Sequence, residues 1–206
     1  MKRCFIFGAG DKTPLPFLPN KDDVVIAADG GYRYALENGI KPTYFIGDLD
    51  SLEKAPIGVE KTLLPTVKDD TDSLAAAKKG LNEGADVFCF FGCSGGRPDH
   101  THANLTTLAM LSKEKKTSFM FFDGYAATAI TSGGGVSFAK REKGFFSVFA
   151  WGEKSKGVTI SGAKYVIKDE ELTPFFPLGV SNEFIIDEEA EITVEDGTLL
   201  VTVFWG

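Results

Sequence analysis

The chain has 206 residues, 43% of them apolar and 12% aromatic: long enough for one large domain or two small ones, and too rich in core material for general disorder. Its net charge of −7 argues against a broad nucleic-acid surface, but it admits a small phosphate ligand that arrives with a cation. No apolar run has membrane-spanning length, the run ending at Phe7 is too short for a secretory signal, and three cysteines build no disulfide framework, so a cytoplasmic protein is predicted.

Arg3 to Phe7 is a short apolar run stopped by Gly8-Ala9-Gly10, and it predicts a first strand. Val24 to Ala28 predicts a second, ending at Asp29-Gly30-Gly31. A short helix is expected over Tyr32 to Asn38, with Gly39 as its stop and Pro42 shortly after. Tyr44 to Ile46 predicts a third strand, and Leu63 to Val67 a weak one interrupted by Pro65. A helix then starts at Thr71 or Asp72, is favoured by Ala75, Ala76 and Ala77, and ends at Gly84. Val87 to Phe91 predicts a central strand buried on both faces. A helix over Asp99 to Leu111 and a strand over Ser118 to Phe122 follow. Strands alternating with helices imply a mainly parallel sheet with flanking helices.

The pattern changes after Ile130. Thr131-Ser132-Gly133-Gly134-Gly135 predicts a hinge or boundary, giving domains of residues 1–131 and 132–206. Beyond it short β-type segments are expected at Val136–Phe138, Phe145–Ala150, Val158–Ile160, Tyr165–Ile167, Glu183–Ile186, Glu191–Val194 and Leu199–Trp205. Asp196-Gly197 is a hairpin signal between the last two. The fold class predicted is α/β in the N-terminal half, followed by an all-β sandwich or barrel.

Loops at neighbouring strand ends of an open α/β sheet converge on one crevice. Asp48 and Asp50 stand two apart, so in an extended segment their carboxylates face one spot, and Gly47 allows close backbone approach. That suits Mg²⁺, which takes one or two carboxylates and fills its remaining positions with water and phosphate oxygens. A solvated turn with Ser51 as helix cap accounts for the same residues. In Asp69-Asp70-Thr71-Asp72-Ser73, three carboxylates within four residues exceed what a helix cap needs, and Asp72 is placed to join the metal; Lys68 offsets charge or touches phosphate. Gly92 to His100 is a glycine-rich strand-to-helix loop without the Gly-Lys-Ser/Thr of a Walker A sequence. Arg97 can fork onto phosphate oxygens. His100 and Asn104 are four apart on that helix, and His102 is read as structural. Cys89 and Cys93 lack the partners of a zinc site.

Taken in order, Asp29-Gly30-Gly31, Gly47-Asp48-Leu49-Asp50-Ser51, Asp70-Thr71-Asp72, Gly95-Gly96-Arg97-Pro98-Asp99-His100 with Asn104, Gly162-Ala163-Lys164-Tyr165 and Ser181-Asn182-Glu183 resemble the thiamine pyrophosphokinase family in its bacterial form. The resemblance covers nearly the whole chain. It implies transfer of a pyrophosphoryl group from ATP to the hydroxyl of thiamine, with Mg²⁺ as cofactor and a homodimer whose active sites lie between subunits. It further implies that Asp48, Asp50 and Asp72 surround the metal. Asp29, Gly30, Gly31, Lys68, Asp70, Thr71, Arg97, Asp99, His100 and Asn104 would belong to the nucleotide side, and Tyr165, Ser181 and Asn182 would meet thiamine. Asp72, Arg97 and Asp99 would be the catalytic residues. Tyr165 stands where some relatives carry tryptophan, and His100 where eukaryotic forms carry glutamine. The rival expectations are a pyrophosphokinase for another alcohol, a Mg²⁺-dependent phosphohydrolase, and an acidic binding module without turnover.

Overall fold

The computed structural model describes residues 1–47, 58–63 and 70–204. They fall into two compact units, residues 1–107 with 116–123, and residues 108–115 with the chain from 124 onward.

In chain order the first unit has β1 (Arg3–Phe7), β2 (Val24–Ala28), α1 (Gly31–Glu37), β3 (Tyr44–Gly47), β4 (Glu60–Leu63), α2 (Asp72–Asn82), β5 (Val87–Phe91), α3 (Pro98–Lys113, whose last residues group with the second unit) and β6 (Thr117–Phe121). The strands pair in the order β6-β5-β1-β2-β3-β4, all parallel. β1 is central, with Phe5 opposite Val25 on one side and Cys89 on the other. From Cys4 onward its sequence, like that of β5, is an unbroken apolar run because a parallel strand covered on both faces has no solvent side to supply. Phe5, Phe7, Phe88, Phe90 and Phe91 are fully buried, each stabilising by roughly 1.5–3 kcal/mol. Phe91 stacks on Phe121 at 4.8 Å and on Phe7 at 5.5 Å, which binds β1, β5 and β6 into one aromatic layer.

The second unit has β7 (Tyr125–Thr131), β8 (Gly134–Phe138), β9 (Phe145–Ala150), β10 (Ser155–Ser161), β11 (Ile167–Leu172), β12 (Gly179–Glu183), β13 (Ala190–Val194) and β14 (Thr198–Phe204). Two antiparallel layers form, β12-β9-β14-β7 and β11-β10-β13-β8. Phe146, Val148, Leu199 and Val201 of one layer, and Val158, Ile160, Ile192 and Val194 of the other, are buried at alternate positions.

The expected class, a mainly parallel sheet with helices followed by a β-sandwich, is what the chain adopts. Several elements differ from expectation. Tyr125–Thr131 had no strand assigned, yet β7 pairs with β14 along its whole length. Asp196-Gly197 closes no hairpin: β13 pairs with β8 and β10, whereas β14 pairs with β7 and β9. The turn instead carries the chain from one layer to the other. Ser132, in the turn between β7 and β8, makes the same passage beside it; its N–H donates to the Gly197 carbonyl at 3.0 Å. β11 begins at Ile167, after the expected start at Tyr165, and β12 ends where Glu183–Ile186 was expected to begin. β4 ends at Leu63, where the weak strand was expected to start; residues 64–67 lie outside the described residues.

Candidate active site

The strand order turns back between β1 and β5, since the chain runs outward from β1 through β2, β3 and β4 before returning to β5 on the other side. At such a switch point the loops leaving the carboxyl ends diverge and open a crevice. Here the two loops first continue the ladder. Gly8 N–H donates to the Phe91 carbonyl at 2.8 Å, Gly10 to Gly92 at 2.7 Å and Asp11 to Ser94 at 2.7 Å. The Gly92 to Gly95 segment is therefore held by backbone bonds on its β1 side. On its other side the buried Asn104 amide donates from α3 to the Cys93 carbonyl at 2.7 Å.

Asp29 closes β2 in the left-handed region, φ 47°, a conformation that aspartate tolerates better than most residues. Its N–H donates to the Ile46 carbonyl at 3.0 Å, and its carbonyl accepts from Tyr32 at 3.1 Å, turning the chain into α1. Gly31 lies against the end of β1: a Cβ there would sit 1.8 Å from the Phe7 carbonyl oxygen. Gly47 ends β3, and a Cβ there would sit 1.9 Å from Asp29 Oδ1. The Asp29 carboxylate thus rests on the residue that precedes Asp48 in the chain. Asp48, Asp50 and Lys68 themselves lie outside the described residues.

At the start of α2, Thr71 Oγ1 accepts from Leu74 N–H at 3.2 Å and so caps the helix. Asp70 is paired with Lys78 at 2.7 Å, and Asp72 occupies the first helical turn. Ser73 Oγ lies 3.9 Å from Cys93 Sγ, which brings this helix start beside the glycine-rich loop.

Arg97 and Asp99 form a forked pair, Nε to Oδ1 at 3.2 Å and Nη2 to Oδ2 at 2.5 Å, with both side chains more than half exposed. The hydrogen bond from Arg97 holds the Asp99 carboxyl below its ordinary range and raises Arg97 in turn. His100 is exposed while Asn104 is buried, so the two project differently despite their spacing. His102, read as structural, lines an open recess of about 350 Å³ with Gly95, Gly96, Pro98, Thr101 and Leu105. No sequence signal separated it from an ordinary helix-surface histidine.

In the second unit Tyr165 and Asn182 are joined by two hydrogen bonds, Asn182 Oδ1 also accepts from Glu183 N–H, and Ser181 adjoins them in the chain. Lys164 pairs with Glu183 at 2.6 Å and lies 5.4 Å from the Tyr165 ring centre.

Among the described residues no group of three His, Cys, Asp or Glu side chains is gathered tightly enough to hold a metal. The donor chemistry nevertheless fits a hard ion. Asp29 and Asp72 offer carboxylate oxygens, whereas burial pushes the thiol of Cys93, the neighbour of Ser73, up to about 12, which leaves it protonated and unsuited to binding a soft metal.

Residues 16–120 match the family model described as thiamin pyrophosphokinase, catalytic domain, and residues 136–199 match thiamin pyrophosphokinase, vitamin B1 binding domain. A thiamine pyrophosphokinase of Bacillus subtilis (strain 168) is 29% identical over 197 residues, covering 90% of this chain and 91% of that protein. In fold the chain is similar to a B. subtilis thiamine pyrophosphokinase crystal structure, with TM-score 0.87, 22% identity and full coverage of both chains. It is likewise similar to a thiamin pyrophosphokinase from Geobacillus thermodenitrificans, with TM-score 0.84, 23% identity, and coverage of 100% of this chain and 98% of the other. With the catalytic-domain match spanning half the chain and the second match lying in the β unit, the chain belongs to the thiamin pyrophosphokinase family.

Proposed function

We infer that this protein transfers the pyrophosphoryl group of ATP to the hydroxyl of thiamine, giving thiamine diphosphate and AMP. The observation that carries the reading is the presence of both family domains in one chain. The domains are proposed as residues 1–131 for the nucleotide and catalysis, and residues 132–206 for thiamine.

The hydroxyl oxygen attacks the β-phosphorus as AMP leaves, with attacking and leaving oxygens nearly in line. Little covalent work falls to the protein; positioning and charge stabilisation dominate. Asp48, Asp50 and Asp72 are the residues that would hold Mg²⁺, which when bound neutralises charge on the phosphate oxygens. Asp29, Gly30, Gly31, Lys68, Asp70, Thr71, His100 and Asn104 form the nucleotide side. Asn104 serves it by fixing the Cys93 carbonyl and Asp29 by its seat on Gly47. Arg97 takes charge on the transferred group, and Asp99 accepts the hydroxyl proton. The two are coupled: phosphate oxygens that engage the Arg97 fork compete with its bonds to Asp99, and the aspartate becomes a better base as it loses them. Arg97→Ala is expected to lower kcat by more than about tenfold. A single-turnover rate unchanged from wild type would remove Arg97 from this account.

We place the enzyme in the cytoplasm, where three buried free thiols are at home. We also propose a homodimer. In the β unit Phe175 is 92% exposed, and its chain neighbours Phe176 and Leu178, with Ile186 further on, are at least half exposed; apolar side chains left open together suit a partner surface. Phe175→Asp with Phe176→Asp is expected to shift the protein to monomer in light scattering and to lower activity with it; an unchanged dimer would move the interface elsewhere.

One assay tests the whole reading. Incubation with ATP, Mg²⁺ and thiamine should yield AMP and thiamine diphosphate in equal amounts. Nucleotide consumption independent of thiamine would replace it with a phosphohydrolase.

A further inference from the structure

The segment after β10 runs beside β12 as an irregular partner. Ala163 bridges Phe184, and Lys164 N–H donates to the Glu183 carbonyl at 3.0 Å. The next rung would fall to the backbone near Ser181. That rung cannot form in the regular way, because Ser181 is left-handed at φ 58°, the β12–β9 register slips between Gly179 and Asn182, and the Ser181 N–H is turned to Ser147 Oγ at 3.0 Å.

The side chain of Asn182 takes the place of the missing rung. Its Oδ1 accepts from Tyr165 N–H at 3.0 Å, and its Nδ2 donates to the Tyr165 carbonyl at 2.7 Å. Oδ1 also accepts from Glu183 N–H at 2.9 Å. Both acceptor sites of the amide and one of its two N–H groups are thereby used. Asn182 is 3% exposed, whereas Tyr165 is 58% exposed. An amide spent in this way and shut from solvent is poorly placed to greet a substrate; the ring it holds is open to one.

We propose that Asn182 is a positioning residue for thiamine binding: it fixes the backbone of Tyr165 as a side-chain rung, and Tyr165 presents its ring to the substrate. This inference rests on the thiamine-transfer reading. Asparagine is required because only an amide offers an acceptor and a donor in one plane, spaced to meet a peptide N–H and C=O together. Without the amide to hold that N–H and C=O, the Tyr165 backbone should open locally about tenfold more readily.

The test is a cycle of wild type, Asn182→Ala, Tyr165→Ala and the double variant, with Asn182→Asp as a second probe. Asn182→Ala is expected to raise the KM for thiamine about tenfold while the KM for ATP stays within about twofold. The double variant should be no worse for thiamine than Tyr165→Ala alone. Asn182→Asp keeps the acceptor but sets a carboxylate oxygen against the Tyr165 carbonyl, and it should also raise the KM for thiamine. Effects that multiply in the double variant, or an unaltered KM for thiamine in Asn182→Ala, would overturn the proposal. Amide hydrogen exchange supplies a readout independent of turnover: the Tyr165 amide should be protected in wild type and exposed in Asn182→Ala, while Asn182→Asp, which keeps the acceptor for that N–H, should retain part of the protection. Equal exchange in wild type and Asn182→Ala would show that no clamp exists. A wild-type protein that forms no thiamine diphosphate would sink the functional reading instead, and with it the ligand assigned to Tyr165, while the exchange result still decides the clamp.

Discussion

Asp48→Asn is expected to abolish Mg²⁺-dependent turnover, with a fall in kcat of at least about a hundredfold and no loss of folded structure. The substitution keeps the shape of the side chain and removes one negative charge. Mg²⁺ dehydrates reluctantly and is held by few carboxylates, so if Asp48 and Asp50 hold it as proposed, losing one of the two charges removes much of the attraction. The surroundings sharpen the effect. Asp29, just past the end of β2, rests its carboxylate on Gly47, the residue before Asp48, so a further acidic group lies close to this point of the chain. Without a cation such groups repel one another. Two measurements follow. In Mg²⁺-free buffer the Asp48→Asn protein should melt at the same temperature as wild type or higher, since a repelling charge is gone. On addition of Mg²⁺ the wild type should gain stability by mass action and the variant should gain much less. Near-normal activity, or an equal Mg²⁺-induced rise in Tm, would remove Asp48 from the metal site.

Much of the first unit was legible because its signals are local. Arg3–Phe7, Val24–Ala28 and Val87–Phe91 are strands over the residues expected, each an apolar run punctuated by polar or glycine residues. Thr71 and Gly84 bracket α2 by their own chemistry, one as a hydroxyl acceptor and the other as a left-handed residue at φ 75°. The turn at Asp29-Gly30-Gly31 was likewise readable, because a strand that stops at an Asp-Gly pair announces its own end.

The β unit was less legible, and for physical reasons. β11 reads Ile-Lys-Asp-Glu-Glu-Leu, four charged residues in six, and is mostly exposed as an edge strand; its existence depends on pairing with β10, far from anything its own composition announces. β7 carries three alanines and no bulky aliphatic run before Ile130, yet it is buried by β14 some seventy residues on. Asp196-Gly197 shows the limit of a local signal: the dipeptide does make the chain turn, but which strands pair on either side is decided by the layers they bury. At the site, residue types were readable and their partners were not. Asn104 and Asn182 were marked as ligand-facing, yet both are buried with their amides on backbone groups of other loops. The sequence carries no sign of an approach that only tertiary structure creates.

Gly31→Ala should destabilise the fold by about 2 kcal/mol or more, against the ordinary expectation that alanine improves a helix. In a free helix the change would gain close to 1 kcal/mol. Here the added Cβ would lie 1.8 Å from the Phe7 carbonyl oxygen, 2.3 Å from its carbon and 2.9 Å from Gly8 nitrogen, all backbone atoms. No side-chain rotation relieves such a contact, so α1 must move away from β1 or the end of β1 must bend. Either shift disturbs the Asp29 turn and the Gly8 to Phe91 rung, so activity should fall with stability. Gly47→Ala meets a different obstacle. Its Cβ would lie 1.9 Å from Asp29 Oδ1, a side chain and not backbone, but φ 155° strains any residue with a Cβ, so stability and activity should both fall. Urea titration measures the first effect as a lower midpoint with an unchanged slope. A Gly31→Ala protein at least as stable as wild type would mean that helix propensity outweighs the clash, and that α1 does not begin in contact with the end of β1.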